Sequence, residues 1–413
     1  MTRTRDLDIV VYGATGFVGK LTAQYLARSA PRGARIGLAG RSTAKLETVR
    51  AELGPAAAQW PIIVANADDP TSLTALAESA HVVITTVGPY AKYGIDLVRA
   101  CAEAGTDYAD LSGEVLFGRE SIDRFHDVAV ASGARIVHSC GFDSIPSDIG
   151  VHVLHKQVAA DGEGDLTDTT MVVSSLRGGV SGGTIDSMRN LVDTVKADKS
   201  ARRIAVNPYS LSPDLTAEPD LGRQSDVEML KGSDIAPGLG GRTAPFVMGS
   251  TNTRVVRRSN ALRKWEYGRA FRYREVMSVG QSVLSPVFAA GVSAGLGALM
   301  AGLAFGPTRY VLDRVLPKPG EGPSEKSRAA GHFTTDTYTT TSTGARYVAR
   351  VRAKGDPGYA ATAVMLGESA LALALDRDAL PDAAGVLTPA TAIGDALVDR
   401  LRTAGVEISA RRN

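Results

Sequence analysis

Cysteine is nearly missing: Cys101 and Cys140 are the 2 present in 413 residues. Two thiols cannot build a disulfide framework or a four-ligand zinc site. They read as reduced thiols in a cytosolic protein. An excess of one charge is missing as well. Lys and Arg number 46 against 44 Asp and Glu, a formal net charge of +2, which argues against a nucleic-acid partner. The stretch from Met1 to Asp8 has no apolar core of signal-peptide length, so secretion is not expected. One local absence runs the other way: Val276 to Thr308 contains no charged residue.

What is present suits a folded protein. Hydrophobic residues make up 44% and charged residues 22%, which argues against wholesale disorder. At roughly 150 residues per domain the length suggests two or three domains.

The first third alternates strand and helix signals. Strands are predicted at Leu7–Tyr12, Arg35–Ala39, Ile62–Ala65, His81–Val87, Tyr108–Leu111 and Arg135–His138, with helical spacing between them. Such alternation implies parallel βαβ units in a doubly wound sheet. The fold class is therefore α/β, with a Rossmann-type domain over residues 1–145. A second, α+β substrate and dimerisation domain is expected over 146–386, with a strand at Thr169–Leu176, a helix at Gly182–Lys196 and a hairpin of His332–Thr341 with Ala345–Ala353. Asn207–Gly241 reads as a long loop and Pro317–Ser327 as a linker. Residues 387–413 are expected to form a closing helix packed on the first domain.

The segment Gly13-Ala14-Thr15-Gly16-Phe17-Val18-Gly19 places G-x-x-G-x-x-G at the first strand-to-helix junction. There Gly13 permits the tight turn, Gly16 admits a pyrophosphate, and Gly19 allows close helix–sheet packing. With Thr15 and Phe17 they form the candidate nucleotide loop, and the helix N-terminus offers free N–H groups to phosphates. A site for NAD places a carboxylate about 20 residues further on. This chain has Arg41 and Ser42 there, a guanidinium and a hydroxyl suited to a 2′-phosphate, so NADPH is the expected cofactor. Asp68 is a candidate for the adenine amino group or for a helix cap. Val87, Gly88 and Pro89 close the fourth strand and are expected beside the nicotinamide ribose.

Several segments together resemble the saccharopine dehydrogenase-like oxidoreductases, and among them the actinobacterial trans-acting enoyl reductases of complex-lipid synthesis. They are Tyr12–Gly19, Ala39–Ser42, Val87–Gly94, Gly105–Glu114, Cys140–Gly150, Ser181–Thr184, Gly355–Tyr359 and Leu387–Leu401. The resemblance implies NADPH-dependent reduction of a carbon–carbon double bond on a polyketide or fatty-acyl chain. That chain would be carried by a separate polyketide synthase or acyl-carrier domain. A saccharopine-type amino-acid dehydrogenase would instead need clustered cations in its cleft. A redox-inactive NADPH-binding scaffold is a third reading.

Enoyl reduction needs a hydride at one carbon and a proton at its neighbour. The candidate proton donors are Tyr90, Tyr108 and Asp143, with Tyr93 beside them. Asp143 equally suits a cap on the helix that begins at Ser144, and Glu114 suits either a ribose contact or a helix start. No metal is expected: His138, Cys140 and Asp143 fit no zinc spacing. No Tyr has Lys four residues later, so the short-chain Tyr-x-x-x-Lys mechanism is not expected.

Residues 283–306 form an apolar segment longer than the roughly 20 residues that cross a bilayer. Arg254, Arg257, Arg258, Arg263, Lys264, Arg269, Arg272 and Arg274 precede it with Glu266 as the one acid among them. Three roles fit it: a buried helical hairpin, with a homodimer interface as one setting; a wall of an acyl tunnel touching the membrane; or a spanning helix. The cations would suit an anionic lipid surface or an acidic carrier domain. The expected location is the cytoplasm, with peripheral contact at the inner face of the plasma membrane.

Overall fold

The computed structural model describes residues 5–179, 182–226, 228–282, 284–316 and 322–413. Strands β1 (Leu7–Tyr12), β2 (Ile36–Gly40), β3 (Ile62–Val64), β4 (Ala80–Thr85), β5 (Asp107–Ala109) and β6 (Arg135–Val137) alternate with helices α1 (Phe17–Ser29), α2 (Thr43–Glu52), α3 (Pro70–Ser79), α4 (Tyr90–Tyr93), α5 (Ile95–Ala104) and α6 (Val115–Ser132). In β1, Ile9, Val10 and Val11 are fully buried. A continuous apolar run suits a parallel strand covered on both faces.

The chain continues through α7 (Ile145–Ala160), β7 (Leu166–Arg177), α8 (Gly182–Ala197), α9 (Lys199–Val206), α10 (Gly232–Ile235), β8 (Thr243–Pro245), α11 (Gly249–Leu262) and β9 (Arg272–Ser278). Next come α12 (Ser285–Ala304), α13 (Gly306–Val315), α14 (Glu325–Ala329), β10 (His332–Thr341), β11 (Arg346–Lys354) and α15 (Thr362–Leu375). The last elements are β12 (Gly385–Leu387), α16 (Pro389–Ala392), α17 (Asp395–Thr403) and β13 (Glu407–Arg412).

Two sheets organise these elements. The first has 7 strands in the order β12-β6-β5-β4-β1-β2-β3, every neighbouring pair parallel. Its order reverses between β1 and β4, the switch point where a doubly wound sheet receives ligands. The second is a mixed sheet of 6 strands in the order β13-β11-β10-β7-β9-β8. Its β10–β11 hairpin runs in register from His332↔Lys354 to Thr340↔Arg346, as the sequence predicts.

The C-terminal third interleaves the two sheets. Helix α15 packs on α1, β1 and β4, and β12 extends the first sheet beside β6. The closing segment is not a single helix: Gly394, at φ +57°, separates α16 from α17, and β13 joins β11 in the second sheet. A division at 145 and 387 therefore gives way to one in which residues 362–387 complete the first layer. Residues 317–321 of the expected linker lie outside the described residues, and α14 begins within its remainder.

The apolar segment corrects one expectation. Helix α12 buries a single stripe, with Ser285, Ala289 and Leu303 inside. Its opposite side is open, Val287 being 67% and Phe288 55% exposed, so α12 and α13 are not a buried hairpin within this chain. The cations preceding it are corrected too. Arg254, Arg257 and Arg258 are buried in α11. Arg254 pairs with Asp226 at 2.7 Å, Arg257 donates to the Tyr273 carbonyl, and Arg258 donates to the carbonyls of Leu211 and Val386. These three stitch loops together and offer no charge to a surface.

Candidate active site

The carboxyl ends of β1, β2, β4, β5 and β6 open into one cavity of about 840 Å³. Gly13, Thr15, Gly16, Phe17, Arg41, Asp68, Val87, Gly88 and Pro89 all line it. Gly13 sits at φ +86°, and an added Cβ would stand 2.8 Å from Val87 Cγ2. A Cβ at Gly19 would fall 2.2 Å from the Gly13 carbonyl oxygen. Gly19 is thus a packing residue behind the loop rather than part of the cavity wall. Gly16 precedes α1 without a side-chain cap, which leaves the first amides of α1 for an anion. Phe17 is held edge-on to Tyr359, ring centroids 5.0 Å apart, so the Gly355–Tyr359 segment reaches the nucleotide loop.

Arg41 is exposed at the end of β2 and makes no ion pair among the described residues. Ser42 is different: it caps α2, its Oγ accepting from the Lys45 amide at 3.5 Å, and it does not line the cavity. Asp68 is not a cap, because its neighbour Asp69 caps α3 by accepting from the Thr71 amide. The cradle at Gly13, the uncapped helix start and the unpaired guanidinium together fit a dinucleotide bearing a 2′-phosphate.

The three proton-donor candidates separate cleanly. Tyr108 is fully buried, donates to Asp110 Oδ2 at 2.9 Å, and does not reach the cavity. Tyr90 touches the cavity, yet its hydroxyl donates to the Thr85 carbonyl and accepts from the Leu111 amide. Burial pushes both phenols well above the ordinary range. Both hydroxyls are committed to the scaffold, which corrects their assignment as donors. Asp143 lines the cavity, and its carboxyl has no hydrogen bond among the described residues. The residue at the cap of α7 is Ser144, whose Oγ donates to Asn252 Oδ1 rather than accepting from the helix, so Asp143 does not serve as that cap. Loss of solvent pushes its carboxyl up to about 6.

Two carboxylates hold this geometry: Glu114, read from sequence as a ribose contact or a helix start and found at the start of α6, and Asp110, to which sequence reasoning assigns no role. Glu114 accepts from the amides of Tyr90 and Ala91, both at 2.9 Å, and from Ser187 at 2.8 Å. It ties α4 and α8 across the cavity. Asp110 accepts from the Ser112 and Ser139 amides, from Tyr108 and from His138 Nδ1 at 2.7 Å. This buried hub fixes the ends of β5 and β6. The signal was the Asp110–Glu114 run, whose polar residues directly follow the short strand β5.

Beyond Asp143 the wall turns apolar. Met188 and Leu191 of α8 face Leu296 and Met300 of α12, with Phe246 and Met248 nearby. Arg41 is the only cation among the described lining residues, whereas Asp68, Glu114, Asp143, Asp186 and Asp226 are acidic. The clustered cations required by a polycarboxylate amino acid are not found there. In this arrangement α12 walls the same cavity as the nucleotide loop; by length and composition it is also apolar enough to cross a membrane, and 11% of that apolar stretch is buried.

Fold and site together define an NADP-dependent oxidoreductase. A model of the saccharopine dehydrogenase NADP binding domain matches residues 9–137. A Mycobacterium tuberculosis protein provisionally named a trans-acting enoyl reductase is 57% identical over 421 residues, covering 100% of this chain and 99% of its own. A Mycobacterium ulcerans trans-acting enoyl reductase is 52% identical over 416 residues, covering 99% and 98%. Among solved structures, saccharopine dehydrogenase (L-Glu forming) from Saccharomyces cerevisiae shares the fold at a TM-score of 0.53 and 12% identity, covering 98% of this chain and 99% of that one. The chain belongs to the saccharopine dehydrogenase family, together with these mycobacterial relatives.

Proposed function

We propose that the protein is an NADPH-dependent enoyl reductase acting in trans. It would saturate a carbon–carbon double bond in a polyketide or fatty-acyl lipid precursor carried by a separate synthase or acyl-carrier domain. One observation carries this reading: the nucleotide loops, an unpartnered carboxyl and an apolar wall share a single cavity. The names of the full-length relatives support it.

NADPH, when bound, supplies the hydride for the β-carbon of the enoyl group. The α-carbon then needs a proton. Asp143 is the group proposed to hold it, since a carboxyl raised to about 6 keeps its proton closer to neutral pH than an ordinary one. The hydrogen bond from the Phe142 amide to Thr362 Oγ1, at 3.0 Å, fixes the turn that presents Asp143. Met248, Phe246 and Leu296 limit water around the reacting carbons. The described lining gives the saccharopine-type alternative no support, because Arg41 is the one cation among those residues. The proposed compartment is the cytoplasm, where thiols such as Cys101 and Cys140 stay reduced.

Lipid analysis of a deletion strain tests this role. An unsaturated precursor should accumulate and disappear on complementation, whereas an unchanged lipid profile counts against it.

A further inference from the structure

We infer that the gap between α8 and α12 is a channel for a long acyl chain, and that Gly297 sets how much chain it admits. This deepens the enoyl-reductase reading and rests on it for the identity of the reacting group.

The cavity does not end at the nucleotide site. It continues along Met188 and Leu191 on one side and Ser293, Leu296, Gly297 and Met300 on the other. Those α12 positions recur at helical spacing and form one stripe along the cavity, with Ser293, Leu296 and Met300 half-buried and Gly297 exposed. The stripe carries no charge. Methionines supply adaptable, unbranched walls, which suits an aliphatic chain without a fixed shape. Gly297 lies on that stripe between Ser293 and Met300, and a Cβ built on it would meet no atom within 4 Å. A larger side chain there would occupy the channel without first colliding with the protein. Gly291, Gly295 and Gly306 likewise meet no atom, and Gly297 is set apart from them by lining the cavity.

The channel accounts for the apolar inner stripe of α12. A helix that is polar on its outer face needs only one apolar stripe. Here the inner stripe faces the acyl chain and is needed whatever the outer side does.

The test uses full-length Gly297→Phe, and Met188→Trp from the opposite wall, with NADPH binding as the check on folding. For wild type, kcat/KM is measured with a short crotonyl thioester and a long 2-hexadecenoyl thioester. The long-to-short ratio should fall about tenfold or more in either variant, the range a filled apolar pocket commands. An unchanged ratio in both variants, with reduction still occurring, overturns the channel while leaving enoyl reduction intact. If wild type reduces neither thioester, the reaction assignment fails, and the channel is judged by binding of palmitoyl thioester to the NADPH-loaded protein. An affinity about tenfold weaker in the variants supports the channel, and equal affinity overturns it.

Discussion

In the proposed reaction two side chains of the cavity lining have separate roles. Among the described residues Arg41 is the lone cation of the lining and makes no ion pair. Arg41→Glu should weaken NADPH binding by about tenfold or more, because a charge-assisted bond is lost and a like charge replaces it. NADH affinity should hold or rise. Titration of both nucleotides checks this, and a variant that still prefers NADPH would move the 2′-phosphate elsewhere. Asp143→Asn should lower kcat by about 10²–10⁴-fold with little change in NADPH affinity. The same substitution carries a stability signature. Burial raises the folded carboxyl from 3.8 to about 6, so the folded state holds the proton more tightly than the unfolded chain. Ionised Asp143 therefore destabilises the fold above about 6, and that cost vanishes below the ordinary 3.8. Asp143→Asn should stabilise by on the order of 1–2 kcal/mol on the alkaline side, with no gain on the acid side. Thermal melts across pH read this directly.

The elements of the first sheet were legible in sequence because local signals agreed. Apolar runs such as Leu7–Tyr12 and the glycine turn at Gly13 point to the same strand–loop–helix unit that forms. What could not be read was which way a side chain turns and what already holds it. Ser42 and Arg41 are neighbours in sequence, yet one turns to cap α2 while the other faces the cavity. The same holds for Tyr90 and Asp143. Both reach the cavity, and only the fold reveals that the phenol is already bonded to Thr85 and Leu111. Helix α12 shows the limit most clearly: composition established that it is apolar, but not which side would be covered. Leu303→Ala, at a fully buried position, should cost about 2–5 kcal/mol. Phe288→Ser, on the open side at 55% exposure, should change stability by less than about 0.5 kcal/mol. Denaturant unfolding of the two variants distinguishes a one-sided wall from a helix buried all round.

At the scale of the whole molecule, the nucleotide layer is not autonomous. Strand β12 pairs with β6, and α15 covers β1 and β4, although both come from the last quarter of the chain. Asp148 in α7 makes the same link, accepting from Ser259 and from the Ala390 amide. A fragment ending at residue 145 lacks all three and should remain unfolded and fail to bind NADPH, as judged by circular dichroism and nucleotide titration. This interleaving also puts the apolar wall and the nucleotide loops in one cavity, the arrangement on which the proposed reaction depends. The most direct measurement of that reaction follows NADPH loss and product mass together, with full-length protein and a 2-enoyl thioester. Enoyl reduction predicts that each NADPH consumed yields one saturated thioester, with hydride from the nicotinamide found on the β-carbon. NADPH binding without hydride transfer to any enoyl thioester, short or long, would contradict it.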